Sequence, residues 1–435
     1  MDPSVLRDRL REVVRGTAPA GLPLPAATGN RARSFDDLGG AWRETAAGRS
    51  FVVSRRVDPD AAHGSQSVRM FGDRLRLAEP SAMLVGANLA RAPFLFFDLE
   101  TTGLNGGAGT CAFLVGCGWF DEDGAFVTEQ HLLMDYAGEP AMLRGVAEQV
   151  ASAGALVTFN GKSFDAPVLE TRYLFHRLTS PCTGLAHVDL LHPARRFWGS
   201  TDEAGCSLVA LESRLLGLRR KGDVPGFEIP ARYFHFVRSG DARPLAAVLE
   251  HNRLDLLSLA GLTARLFALV DSGPAQAGDA KEALALARVY ERAGLDERAE
   301  ASLLRAETLA GDTATRIGAL RGLALGARRQ RRFEEAAGHW RRLLDTPGCP
   351  ATLTREAIEA LAIHHEHRAR DLDAAKMFAL RGLEAGTESA WGDAVRHRLA
   401  RIERKIVSAS RPLLSSLPLL LPACDSPTSG SRTSS

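Results

Sequence analysis

Phe94-Leu95-Phe96-Phe97-Asp98-Leu99-Glu100-Thr101-Thr102-Gly103-Leu104 is the stretch on which the reading of this 435-residue chain turns. Four consecutive apolar residues make a short run of the kind found in a buried strand. Side chains alternate across a strand, so Asp98 and Glu100 project to one face and Leu99 to the other. Two carboxylates at the end of an apolar strand repel and are partly desolvated, which raises their pKa unless a cation joins them. Oxygen-only donors select a hard ion such as Mg²⁺ or Mn²⁺, and no nearby His/Cys set points to zinc. Standing alone, Asp-x-Glu is weak evidence, because many solvated strand ends carry it by chance.

Working outward, Asn105-Gly106-Gly107-Ala108-Gly109 is turn-rich, and without a following Gly-Lys-Ser/Thr it reads as a hairpin turn rather than a phosphate loop. Residues 112–120 and 126–134 read as strands joined by a turn at 121–124, 139–152 as a helix, 156–159 as a strand, 165–177 as a helix and 186–190 as a fifth strand. Strands in succession, then helix alternating with strand, predict an α/β mixed sheet over 94–270: an antiparallel three-strand meander, parallel strands and flanking helices. Ahead of it, 1–45 is expected to be a short helix and an Ala/Pro/Gly-rich linker, and 46–93 a small β lead-in region.

Beyond Gly278 the strand patterns stop. Alanines twelve apart (Ala287 and Ala299, Ala324 and Ala336, Ala362 and Ala374), each pair followed four residues later by Leu303, Trp340 or Phe378, mark three helix–turn–helix units. Their periods of 37 and 38 exceed the 34 of a tetratricopeptide repeat by a few loop residues. Residues 278–405 are therefore expected to be an all-α, tetratricopeptide-like domain, and the Ser/Thr/Gly/Pro-rich 406–435 a disordered tail. A histidine group, His364, His365 and His367, falls inside a repeat helix and is set aside as a metal site.

Two further segments bear on the carboxylates. Thr158-Phe159-Asn160-Gly161-Lys162-Ser163-Phe164-Asp165 puts Asn160 at a strand end and Asp165 in the first turn of a helix, where a carboxylate complements the dipole or simply caps. His251-Asn252-Arg253-Leu254-Asp255 lies in a predicted helix whose i,i+4 spacing sets His251 and Asp255 on one face, as on any solvated helix. Asp189, after 185–188, reads as a strand-end residue and is left out of the ligand set.

Together, in this order, the three segments resemble the DEDD 3′→5′ exonuclease superfamily of ribonuclease H-like enzymes, and more closely the YprB-type ribonuclease H-like domain family, often joined to tetratricopeptide repeats. Gly107-Ala108-Gly109-Thr110 before Phe113-Leu114-Val115-Gly116, and Asp223-Val224-Pro225-Gly226-Phe227-Glu228-Ile229-Pro230, add to the resemblance, which covers roughly 46–270. It implies Asp98, Glu100, Asp165 and Asp255 as metal ligands and two-metal phosphodiester hydrolysis, with His251 accepting the proton of the attacking water. The gap of three residues between His251 and Asp255 departs from the His-type pattern, which has four, and matches the register of superfamily members that use Tyr. Thr101 and Asn160 are the candidate substrate contacts.

The remaining expectations concern setting. Scattered cysteines without C-x-x-C pairs exclude a disulfide scaffold, the N-terminus shows no apolar signal region, and Pro412, Pro418 and Pro422 interrupt the longest apolar stretch, so the expectation is a cytoplasmic protein with no membrane segment. Lys and Arg are in excess over 1–93 and 271–435, whereas 94–270 is acidic. A nucleic-acid substrate, DNA or RNA, then needs metal ions to offset the carboxylates, helped by arginines such as Arg195-Arg196, Arg219-Arg220-Lys221 or the 328–342 cluster. A protein partner is expected at the repeats. The rival readings are a structure-specific endonuclease of the same fold and an inactive nucleic-acid- or protein-binding scaffold.

Overall fold

The computed structural model describes residues 36–85, 90–103, 109–199, 205–384 and 390–410. Its central element is a seven-stranded sheet in the order β1-β2-β7-β6-β5-β8-β9. The strands are β1 (Ala41–Thr45), β2 (Gly48–Val57), β5 (Phe94–Thr101), β6 (Ala112–Phe120), β7 (Phe126–Leu132), β8 (Ala155–Thr158) and β9 (Ala186–Asp189); β3 and β4 form a separate two-residue pair at 62–67. β5, β6 and β7 are the antiparallel meander, and β8 joins β5 in parallel, followed by β9. The mixed ribonuclease H-like sheet expected from the sequence is thus what the chain forms.

Alternation along β5 builds two cores. Phe94 and Phe96 enter one, shared with helix α8 (Leu245–Ser272), and Leu95, Phe97 and Leu99 enter the other, under α3 (Glu139–Val150), α4 (Asp165–Phe175) and α7 (Ile229–Ser239). Burying each such side chain contributes roughly 1.5–3 kcal/mol. Phe113 stacks on Tyr233 with ring centroids 4.1 Å apart, which locks α7 to the sheet. From Leu256 to Val270 nearly every residue of α8 is buried, as expected of a helix apolar all round.

Three expectations are corrected. The lead-in is not a separate β region: β1 and β2 extend the main sheet, with Phe51 to Val57 paired along β7, so residues 41–45 are strand rather than linker. Residues 68–85 are helical, as α1 (Val68–Arg76) and α2 (Glu79–Val85); Val68, Phe71 and Leu75 are buried on one face, a helical spacing hidden among turn residues. Residues 406–410 complete a helix rather than begin a disordered tail. The rest of that tail, residues 1–35 and most of the 105–109 turn lie outside the described residues.

The chain divides into two compact units, Met1–Ala319 and Leu320–Ser435, rather than at 278. The pair α9 (Ala280–Arg292) and α10 (Asp296–Leu309) belongs to the first unit because Leu286, Val289 and Tyr290 enter the core shared with α8. Tyr290 Oη donates to the Val270 carbonyl at 2.6 Å, and Trp198 Nε1 to Glu282 at 2.8 Å.

In the second unit α12 (Phe333–Leu344), α13 (Ala351–His364), α14 (Leu372–Glu384) and α15 (Ala390–Ser410) pack in succession. Trp340 and Phe378 are buried, as is Leu303 in the first unit, but in the third expected pair Ala375 rather than Ala374 is the fully buried alanine. A π-helical turn at His365–Ala369 adds a residue and shifts the register. There His364 contacts Glu334 at 3.1 Å and the His365 ring stacks on Phe378. Arg341 and Arg332 pair with Glu334 and Glu335, so this arginine cluster is partly an ion-paired helix face. Among the described residues no helix is long and apolar enough to cross a membrane.

Candidate active site

β5 carries Asp98 and Glu100 on the face that its neighbour Phe96 gives to α8, at the edge where the strand leaves the core. Asp98 pairs in register with Gly116 of β6, and this glycine decides what lies above it. A Cβ at position 116 would stand 2.2 Å from Asn252 Oδ1, so the close approach of α8 to the sheet requires glycine here. Asn252 fills that space, fully buried. Its Nδ2 donates to Asp98 Oδ2 at 2.8 Å, and its Oδ1 accepts from Gln130 Nε2 at 2.8 Å. The Asp98 carboxylate is therefore aimed by an amide itself held from β7.

Asp165 is brought alongside by the turn between β8 and α4. Asn160 adopts a left-handed φ of 70°, a conformation Asn tolerates better than most residues. Asp189, at the end of β9, secures the turn: its carboxylate accepts from the amides of Asn160 at 2.8 Å, Lys162 at 3.0 Å and Leu191 at 3.0 Å. Its role is thus that of a strand-end anchor. Asn160 itself is exposed, whereas Thr101 is buried and its hydroxyl donates to the Gly103 carbonyl at 2.9 Å.

The electrostatics record how closely the acids gather. Burial, then the charges of Asp255, Glu100 and Asp165, push Asp98 well above the usual carboxylate range. Burial and the charges of Asp255, Asp165 and Asp223 raise Glu100 to about 8. Asp165 rises to about 7 through burial and Asp189, against backbone hydrogen bonds from its own amide and that of Leu99. Among the described residues no three His, Cys, Asp or Glu side chains stand at coordinating distance of one point. The four acids are neighbours without being a closed cage. Their donor chemistry nonetheless fits hard divalent ions: buried, oxygen-only, and carrying more negative charge than the surroundings neutralise.

Asp255 and His251 sit one helical turn apart on α8, with His251 Nε2 3.5 Å from Asp255 Oδ2. The other imidazole nitrogen, Nδ1, meets Asp223 Oδ1 at 2.8 Å. Among the described residues, a buried arginine reaches Asp223 and Asp255. Arg220, its side chain 4% exposed, forks onto both oxygens of Glu212 at 2.7 and 2.8 Å, onto Asp223 at 3.0 Å and onto Asp255 at 2.5 Å. Burial opposes its charge, but the hydrogen bond to Glu212 and the charges of Asp255 and Glu212 prevail, and the guanidinium is held firmly protonated. Glu212 in turn accepts from Ser258 Oγ at 2.6 Å, and Ser258 contacts His63 at 2.9 Å.

The structure thus gathers Asp98, Glu100, Asp165, Asp255 and His251 in one place, leaves Asn160 exposed in the turn before Asp165 and buries Thr101. Asn252, Gly116, Asp223 and Arg220 were not expected in this role. Arg220 is a buried clamp rather than the phosphate-tracking residue its Arg-Arg-Lys context implied.

Residues 95–267 match the RNase_H superfamily. Over 318 residues, 72% of this chain and 75% of the relative, the sequence is 33% identical to a protein of Bacillus subtilis (strain 168) named "Uncharacterized protein YprB". The family resemblance carried by the three motifs is borne out.

Proposed function

The chain belongs to the YprB family within the ribonuclease H superfamily, and from that premise we propose that it is a divalent-metal-dependent 3′→5′ exonuclease acting on nucleic acid. The observation that carries this reading is the convergence of Asp98, Glu100, Asp165 and Asp255 at the end of β5, three of them with raised pKa. These four would hold two Mg²⁺ or Mn²⁺ ions. When bound, such ions supply charge neutralisation, a water nucleophile at neutral pH and stabilisation of the leaving oxygen.

The remaining chemistry falls to the chain's own residues. Asn252 fixes the orientation of Asp98, and Asp189 holds the turn that presents Asp165. Asp223 accepts a hydrogen bond from Nδ1–H of His251, which leaves the Nε2 lone pair, 3.5 Å from Asp255, to accept a proton from the attacking water. The exposed Asn160 is retained as a substrate contact, and Thr101 is read as holding the turn after Glu100. The helical pairs beyond 278 we read as tetratricopeptide-like and as the surface for a protein partner, in a cytoplasmic protein.

The test is to incubate the full chain with 3′- or 5′-labelled single- and double-stranded DNA and RNA in Mg²⁺ or Mn²⁺. Stepwise shortening from the 3′ end, absent in Asp98→Asn, is expected. No cleavage of any of these substrates would overturn the reading, and internal cuts would turn it into an endonuclease.

A further inference from the structure

A second charged surface lies in the Met1–Ala319 unit, apart from the carboxylates. Arg195 and Arg196 come from α5 (Leu191–Trp198), Arg214 from the π-helical turn at Glu212–Leu216, and Lys281, Arg288 and Arg292 from α9. α5 and α9 pack together. Arg214 and Lys281 line a cleft of about 580 Å³ with Trp198 and Arg265. The charges of Arg195, Arg214 and Lys281 all act on Cys206, and burial, then the charges of Arg292 and Arg288, lowers the pKa of Arg196. No ion pair joins any of the six to a carboxylate among the described residues.

Acids lie beside them but are already partnered: Asp279 and Glu282 line the same cleft, Glu282 pairs with Arg265 at 3.6 Å, and Glu291 of α9 is also engaged. Glu282 accepts from Trp198 Nε1 at 2.8 Å and from the Gly278 amide at 2.7 Å, and Asp279 caps α9 through the Glu282 amide at 2.8 Å. The six cations outnumber these acids, so the face carries a net positive charge that a polyanion lying across it stabilises. The cleft also connects to the candidate site by a rigid rod: Arg265 lies ten residues beyond Asp255 on α8, about 15 Å along it at 1.5 Å per residue. The sheet domain around the carboxylates is acidic, so a nucleic-acid strand needs its positive contacts elsewhere.

We propose that this α5–α9 face is a second nucleic-acid contact, binding the phosphodiester backbone of the substrate outside the carboxylate site without reading its sequence. The inference rests on the nuclease reading only for the identity of the polyanion.

The experiment compares the wild-type full chain with the triple variant Arg196→Gln, Arg288→Gln, Arg292→Gln. A control variant of equal charge change carries Arg91→Gln, Arg144→Gln and Arg238→Gln. Affinity for a long single-stranded oligonucleotide is measured in EDTA over a range of salt, and cleavage of a short oligonucleotide that fits only the carboxylate site is measured in Mn²⁺. In the face variant, affinity should fall about 10- to 100-fold at moderate salt and the log–log salt slope should shrink by about 2, that is ~0.7 for each cation lost. The control should bind as wild type, and short-substrate cleavage should be unchanged. Unchanged affinity and slope in the face variant, or an equal loss in the control, would overturn the proposal. So would a loss confined to anionic phosphatidylglycerol vesicles, which would assign the surface to lipid. If the wild type cleaves nothing while the face variant still loses affinity and slope, the nuclease reading fails and this surface stands.

Discussion

Gly116 and Asn252 occupy what would otherwise be the same space: the amide oxygen of Asn252 lies 2.2 Å from where a Cβ on residue 116 would be, and Asn252 uses that position to hold Asp98. Gly116→Ala should therefore both destabilise the protein and misplace Asp98. We expect a cost of roughly 1–3 kcal/mol, as for overpacking a tight core, together with loss of nuclease activity. In an Asn252→Ala background the stability cost of Gly116→Ala should largely vanish, because the alanine side chain no longer reaches the strand. Denaturant unfolding of the four proteins of this cycle measures the coupling. Equal costs in both backgrounds would show that the contact is not the cause.

Arg220 neutralises three acids, and Glu212, whose side chain is 1% exposed, has few other donors. Removing the guanidinium strands these carboxylates, so Arg220→Met should cost about 3–5 kcal/mol, the range for breaking a buried pair from one side. Arg220→Lys should recover only part of it, since a single ammonium cannot fork onto Glu212, Asp223 and Asp255 together. Urea unfolding of the two variants decides the point; a methionine variant as stable as wild type would mean the clamp carries no net stabilisation.

Much of this arrangement was legible because its signals are local. Strand alternation alone set Asp98 and Glu100 on one face, and helical spacing alone joined His251 to Asp255. Arg220 and Asp223 were not legible as site residues, because they lie in an irregular segment after a π-helical turn and reach Asp255 and His251 across 35 and 28 positions. Gly116 did carry a signal, a glycine inside an apolar strand, which marks a close backbone approach. The helix at 68–76 was obscured by the turn residues before it. The one-residue slip between Ala374 and Ala375 could not be read from a fixed alanine offset, since nothing in the 362–374 spacing announces the π-helical turn.

The raised carboxyls give the metal-free protein a definite pH dependence. Asp98, Glu100 and Asp165 bind their protons more tightly folded than unfolded, so their contribution to stability is whole below the unfolded values and is lost as pH rises through the folded ones. For Glu100 the window runs from its ordinary 4.5 to about 8, and for Asp165 from 3.8 to about 7. In EDTA the melting temperature should fall as pH rises from about 5 to 8. Glu100→Gln should flatten this decline, raising the melting temperature at pH 8 while abolishing cleavage. Added Mn²⁺ should stabilise the wild type more at the alkaline end, because ligands must lose their protons to bind it. A melting temperature in EDTA that rises across the window would contradict the buried, mutually repelling cluster.

Asp223 and His251 form the last testable pair, and the question is whether the first works through the second. If His251 accepts the proton from water, His251→Ala should lower turnover by about 10²–10⁴-fold, with little change in metal affinity because the four carboxylates remain. Asp223→Asn keeps the shape at the 2.8 Å contact but removes the charge that holds Nδ1–H, so it should cost less, roughly tenfold or more by analogy with other orienting carboxylates. The two losses should not add: in a protein already lacking the imidazole, Asp223→Asn should change turnover little, since the group it orients is gone. Single-turnover rates for the wild type, the two single variants and the double variant test this, with Mn²⁺ affinity measured in parallel. Additive losses would mean that Asp223 acts on the site independently, for instance through Arg220, which it also binds at 3.0 Å. His251→Tyr adds a further arm, because tyrosine occupies this register in other members of the superfamily that the motifs resemble. Activity recovered in His251→Tyr but not in His251→Ala would show that the position needs a polar group oriented toward the water rather than an imidazole that takes its proton.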